Sequence, residues 1–297
     1  MTYSSGGLIE ATDYNNRVNA INSIWGAGSG ANGYGQTSTT LTTSSSTSFV
    51  TATQWASLIA KLDALTVHQS GVPTGLTQPT AGTYVAWSSI LDTTVAATYT
   101  NRLNATIRGT QADLGNLTNS TTWVTSSTKE FTLTFSSTDT VRYFFNAGGL
   151  INFYLTQAAG ATLKSTEWGN FYTNQIGTIS FGSNFCSRSG SGGDSLTQNT
   201  NIGYYSLTTT YQTLFSIGST SATSDYGNNY MTIEAKTGAT TNIVQIRCIS
   251  YDAAGDTFND TIIGANTLYV RWTPPETTYL TNVWGTPSLA TVTNTQA

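Results

Sequence analysis

Gly28, Gly30 and Gly33 stand at the GxGxxG spacing that can bring backbone amides against a pyrophosphate. That chemistry needs a strand before the glycines and a helix after them, so that amides and helix dipole converge on the phosphate. Here they follow a helical pattern and lead into a Ser/Thr run, which favours a linker over a nucleotide site. His68 is the single histidine and no CxxC occurs, so a multi-histidine or zinc-ribbon metal site is not expected. A Ser–His–Asp triad would have to use His68. Its place at the end of a helical pattern suits instead a cation-capable side chain at a helix C-terminus.

Asp252, Asp256 and Asp260 recur at four-residue steps, so an oxygen-rich calcium loop is conceivable. The spacing is not that of an EF-hand, and solvated turn residues are the simpler expectation. Glu130, Glu167 and Glu234 could supply the carboxyl pair of a glycosidase, whose groups lie about 5–9 Å apart. Cys186 and Cys248 read as reduced core side chains, with a disulfide between them left open. No catalytic residue, metal or cofactor is expected from these patterns.

The elements that would carry these residues fall into two kinds. Over 9–25, Tyr14, Val18, Ile21 and Trp25 lie on one helical face, with Thr12 or Asp13 as cap and Gly26 at a left-handed C-cap position. Asn15, Asn16, Asn19 and Asn22 weaken that helix, so it needs a partner surface. Residues 26–50 are Gly-rich and then Ser/Thr-rich, a flexible or extended connector able to order against a neighbouring chain. Thr51 and Gln54 form a capping box ahead of the stripe Trp55, Leu58, Ile59, Leu62 and Leu65. A third helix is expected over about 86–104.

From Trp123 onward the period is two. Val141, Tyr143 and Phe145, then Ile151, Phe153 and Leu155 across the turn 146–149, read as a hairpin. Further strands are expected at 177–181, 203–208, 211–217, 230–236, 241–251, 258–263 and 267–273, and an irregular tail at 276–297. The expected fold class is α+β. A short N-terminal helical attachment module over 1–120 precedes an antiparallel β-sandwich or jelly-roll-like domain over 121–297.

The chain has 297 residues, of which only 9% are charged, against roughly 25% in ordinary soluble proteins. Its 58 threonines and 32 serines give a surface that is polar yet nearly uncharged. Hydrophobic residues at 38% and aromatics at 11% are too many for a disordered chain. The 11 Lys and Arg residues are scattered, so nucleic-acid binding and a basic membrane patch are not expected. The apolar run 141–155 is too short to span a bilayer, which takes about 20 residues. Residues 1–16 lack the charged and apolar regions of a secretory signal, so the sequons at Asn104, Asn116, Asn119 and Asn259 carry little weight.

Several segments carry a resemblance: YSSGGLIEATDYNNRVNAINSIWG near the start, GYGQ at 33–36, TATQWASLIAKLDAL at 51–65, RYFFNAGG at 142–149, GYYSLTTTYQTL at 203–214 and PETTYLTNVWGT at 275–286. Together they resemble virion structural proteins of tailed bacteriophages, above all myoviruses of cyanobacteria and other marine bacteria. The resemblance implies incorporation in the particle, after assembly in the host cytoplasm, and no reaction.

The expected function is that of a noncatalytic virion component of the neck or collar, a fibre or the baseplate, built as a symmetric homo-oligomer. Its partners would be other copies of itself and neighbouring virion proteins. Interface contacts are expected from Tyr14, Val18, Ile21, Trp25, Trp55, Leu58, Leu62, Tyr279 and Trp284. The main alternative is a receptor-binding adhesin holding host-surface glycan on the β-domain, with an exposed tryptophan such as Trp168. A polysaccharide depolymerase is a further rival.

Overall fold

A computed structural model describes residues 10–45, 47–82, 88–158, 162–220, 227–253 and 261–297. The fold is α+β, with two antiparallel sheets in a sandwich-like arrangement. The chain divides into two compact units.

The helical unit is drawn from Met1–Thr110, Arg142–Gly148 and Pro274–Trp284. It contains α1 (Ala11–Trp25), α2 (Ala52–Ser70) and α3 (Ser88–Thr100). Helix α1 begins two or three residues earlier than Thr12 or Asp13 would place it: Glu10 is the N-cap and Asp13 closes a capping box with it. Gly26 ends the helix in an extended conformation, not a left-handed one. Helix α2 starts on the expected Thr51–Gln54 box and stops at Gly71, whose φ of 78° is the left-handed turn that only glycine adopts freely. The edge of the Tyr14 ring meets Trp55 at 5.2 Å, and Arg17 of α1 is ion-paired with Asp92 of α3 at 2.7 Å.

The asparagines that weaken α1 as an isolated helix hold the Ser/Thr segment in place. Asn22 donates to the Leu41 carbonyl and accepts from the Leu41 amide, at 2.8 and 2.9 Å. Asn15 does the same with Ser44, at 2.8 and 2.7 Å. Seven helical residues advance about 10 Å, and three extended residues about 9 Å, so both clasps can close at once. The connector is therefore ordered against α1 of its own chain.

The β unit comprises Gln111–Val141, Gly149–Thr273 and Gly285–Ala297. One sheet has the order β1 (Ala112–Asn119), β10 (Asn266–Thr273), β3 (Leu150–Gln157), β4 (Ile179–Phe181) and β5 (Cys186–Arg188). The other has the order β11 (Ser288–Gln296), β2 (Ser126–Thr134), β9 (Ile243–Tyr251), β8 (Tyr230–Thr237), β7 (Gln212–Gly218) and β6 (Asp194–Gln198). The sheets share a core in which Phe131 of β2 meets Phe153 of β3 at 5.8 Å. Strand β9 is strictly alternating, with Val244, Ile246, Cys248 and Ser250 inward.

Three further sequence expectations are corrected. The first arm of the expected hairpin is a helix, α4 (Thr138–Asn146). Val141, Phe144, Phe145 and Asn146 are its buried residues, and Ser137 and Thr140 exchange capping bonds at its start. A short apolar run fits both periods, and here the 3.6 period wins. Residues 203–208 form one 3-10 turn at Tyr204–Ser206, not a strand. The tail is not irregular throughout: β11 pairs with β2, and a bulge between Thr291 and Thr293 blurs the alternation that would have announced it. Helix α5 (Leu163–Asn170) and its π turn Phe171–Ile176 had no clear periodic signal. Of the strand expected at 258–263, residues 258–260 lie outside the described residues, and Ile262 makes one bridge to Trp123.

Candidate functional site

A dense group of charged and aromatic side chains lies on the outer face of the six-stranded sheet. Register places Glu130 of β2, Arg247 of β9 and Glu234 of β8 in one row. Arg247 donates to Glu234 Oε2 from Nη2 at 2.6 Å and from Nε at 3.0 Å. The Tyr211 hydroxyl donates to Glu130 Oε1 at 2.5 Å, and Gln245 Nε2 donates to the same oxygen. The Tyr211 ring lies against the Arg247 guanidinium at 4.0 Å and the Lys236 ammonium at 4.2 Å. Burial, and then the Glu130 carboxylate, push the Tyr211 phenol far up, so it is a fixed donor.

Glu130 and Glu234 are thus two of the three glutamates considered for glycoside cleavage, on strands two positions apart. Two strand spacings are about 10 Å. Arg247 fills the gap where substrate or water would have to sit, and both carboxylates already accept hydrogen bonds. Glu167 lies elsewhere, on α5. The arrangement ties β2, β9 and β8 together and holds Tyr211 against them.

The glycine motif is a tight return loop. Gly28, Gly30 and Gly33 have φ of 52°, 53° and 93°. Beyond them, Tyr34, Gly35 and Gln36 donate back to the carbonyls of Ile24, Gly26 and Trp25. The loop carbonyls of Ala27 and Asn32 accept from Arg142, and that of Gly33 from Asn146 at 3.0 Å. A loop whose oxygens converge on an arginine is built to hold cationic and amide donors, and its glycines serve the turn.

His68 does not stand exposed as a cation at the end of α2. It is buried, and its Nε2–H donates to the Ala147 carbonyl at 2.9 Å. Burial holds its pKa below the ordinary value, with the Ala147 bond opposing. The folded state therefore binds fewer protons than the unfolded chain, whose histidine titrates near 6.5. Stability is expected to fall as pH drops from about 7.5 to about 5.5, by at most about 1.4 kcal/mol per pH unit for this one group. His68→Gln should flatten that dependence in thermal melts, and an unchanged slope would count against it.

Asp252 is no solvated turn residue. It forms an ion pair with Lys164 at 2.5 Å, and both side chains are buried. Asp256 and Asp260 lie outside the described residues, so the loop they would form with Asp252 is not seen. Cys186 and Cys248 are free and buried, in different sheets. Burial pushes the Cys186 thiol up to about 12.

Of the residues expected at interfaces, Tyr14, Val18, Ile21, Trp25, Trp55, Leu58, Leu62 and Trp284 are buried within the chain, and Tyr279 is 46% exposed. Their apolar surface builds the core of the helical unit, which is better furnished than the sequence suggested. Among the described residues, the large apolar side chains this unit exposes are Phe49 at 96%, Val72, Ile90, Tyr99 and Tyr279. Trp168, chosen as an exposed sugar-stacking residue, is buried against Trp123 at 5.0 Å and Tyr172 at 5.3 Å.

Sequence reasoning passed over Tyr211, Gln245 and Arg247, and the paired Asn15 and Asn22. Outward positions on alternating strands were legible, but which strands lie side by side was not. The seven-residue spacing of Asn15 and Asn22 was a usable signal for one polar helical face. Comparisons of the chain with family models, with curated proteins and with solved structures find no match.

Proposed function

We propose that this chain is a noncatalytic structural component of a tailed-phage particle, assembled as a symmetric oligomer in the neck or collar, a fibre or the baseplate. The observation that supports it best is that the side chains suited to chemistry are engaged inside the fold. His68 is bonded to a backbone carbonyl, Asp252 to Lys164, Glu234 to Arg247, and Glu130 to Tyr211 and Gln245. The segments that resemble virion proteins supply the particle assignment itself.

A hydroxyl- and amide-rich surface can hydrogen-bond across interfaces without burying unpaired charge, which would be costly. Attachment should then depend little on ionic strength. Particles washed in about 1 M salt, where the Debye length is only about 3 Å, should keep the protein. Release by that wash, or its absence from purified particles, would overturn the assignment.

Glycan binding on the β unit is the second reading. It is favoured by the half-buried Tyr154 and Tyr269, stacked at 4.9 Å with Arg271 against Tyr154. Glycan-array signal lost in Tyr269→Ala would select it.

A further inference from the structure

Lys129 occupies an inward position of β2, between Ser127 and Phe131, and is fully buried. Its register partners on both neighbouring strands face the same way: Cys248 on β9 and Asn294 on β11. Lys129 Nζ lies 2.6 Å from Asn294 Oδ1. Among the described residues no carboxylate pairs with it. A buried ammonium without a counter-ion costs several kcal/mol. Burial accordingly pushes Lys129 down to about 8, so the nucleophilic free amine is about a tenth of the population at pH 7.

The Asn294 carboxamide is fixed from its other end. Its Nδ2 donates to the Thr118 carbonyl at 2.9 Å, and its own backbone carbonyl accepts from Asn119 Nδ2 at 3.1 Å. The amine therefore meets the carbonyl side of the amide, while the nitrogen that would leave points to β1. Cγ is one bond of about 1.2 Å beyond Oδ1, so the strand pairing itself holds it within about 4 Å of the amine.

From this placement we infer that Lys129 and Asn294 form an intramolecular isopeptide bond. Nζ adds to Cγ, one Nζ proton passes to Nδ2, the Cγ–Nδ2 bond breaks and ammonia leaves. The product is a neutral secondary amide, and no oxidant or reductant is consumed. The bond removes the buried charge and fastens the edge strand β11 to β2 covalently. It does not depend on the particle assignment.

Intact-mass measurement and tryptic mapping of the folded full-length protein test it. The expected mass is about 17 Da below that of the sequence, the mass of the ammonia lost. Trypsin should fail after Lys129, giving a branched species that joins Gly109–Arg142 to Trp272–Ala297. Lys129→Met and Asn294→Ala should each abolish the branch. Recovery of both wild-type residues in linear, unmodified peptides from folded protein overturns the inference whatever the variants do. So does the same mass loss with Lys129 in a linear peptide, because the ammonia was then lost without joining the two side chains, as in a succinimide at an asparagine.

Discussion

Gly33→Ala is expected to cost more than about 4 kcal/mol, a large share of the roughly 5–15 kcal/mol that holds a typical domain folded. The new Cβ would lie 2.0 Å from the Ala27 carbonyl oxygen, at a φ of 93°. Both atoms are backbone-fixed, since the return bonds to Ile24, Gly26 and Trp25 leave the loop nowhere to move. Gly30→Ala is the control. Its φ is 53°, but nothing lies within 4 Å of the added carbon. It should cost only the left-handed penalty of about 1–2 kcal/mol. Urea melts of the two variants separate a steric turn from a phosphate loop, in which both glycines would matter for ligand and neither much for folding. Equal, small losses would show that the loop relaxes and that the glycines are there for something else.

Breaking the Lys164–Asp252 pair should rank next. With both side chains buried, Lys164→Met or Asp252→Leu alone leaves one charge stranded in the β unit, at a cost of about 3–5 kcal/mol. The double variant removes both charges and should return to within about 1 kcal/mol of the parent, because a buried pair repays little more than its own desolvation. Denaturant midpoints of the four proteins close the cycle. Additive losses would mean that the two residues do not act as a pair.

Much of the architecture could be read from periodicity. The stripe from Trp55 to Leu65 behind its Thr51–Gln54 box, and the alternation of 243–251, are local patterns that the fold keeps. The failures share a cause. Residues 141–145 satisfy both periods, and only the environment of Phe144 and Phe145 decides for a helix. Strand β11 hides behind a bulge. Among candidate sites, residue types were legible but partners were not. The position of His68 suits a cation-capable side chain at a helix C-terminus, yet it is a buried donor to a carbonyl, and Trp168 is enclosed where the glycan reading needs it exposed.

Composition and periodicity already specify the kind of material. Few charges, many hydroxyls and enough aromatics call for a folded, polar, uncharged surface, and two hydrophobic periods call for helices followed by sheets. It takes the folded chain to put Glu130, Arg247 and Glu234 in one row, to clasp Asn22 to Leu41 and Asn15 to Ser44, and to face a lysine with an asparagine in a closed core. The pairings of Glu130 with Arg247 and of Lys129 with Asn294 depend on strand order and register, which join residues more than a hundred positions apart. No local spacing encodes them, because the free energy that selects one pairing over another is that of burying whole faces together.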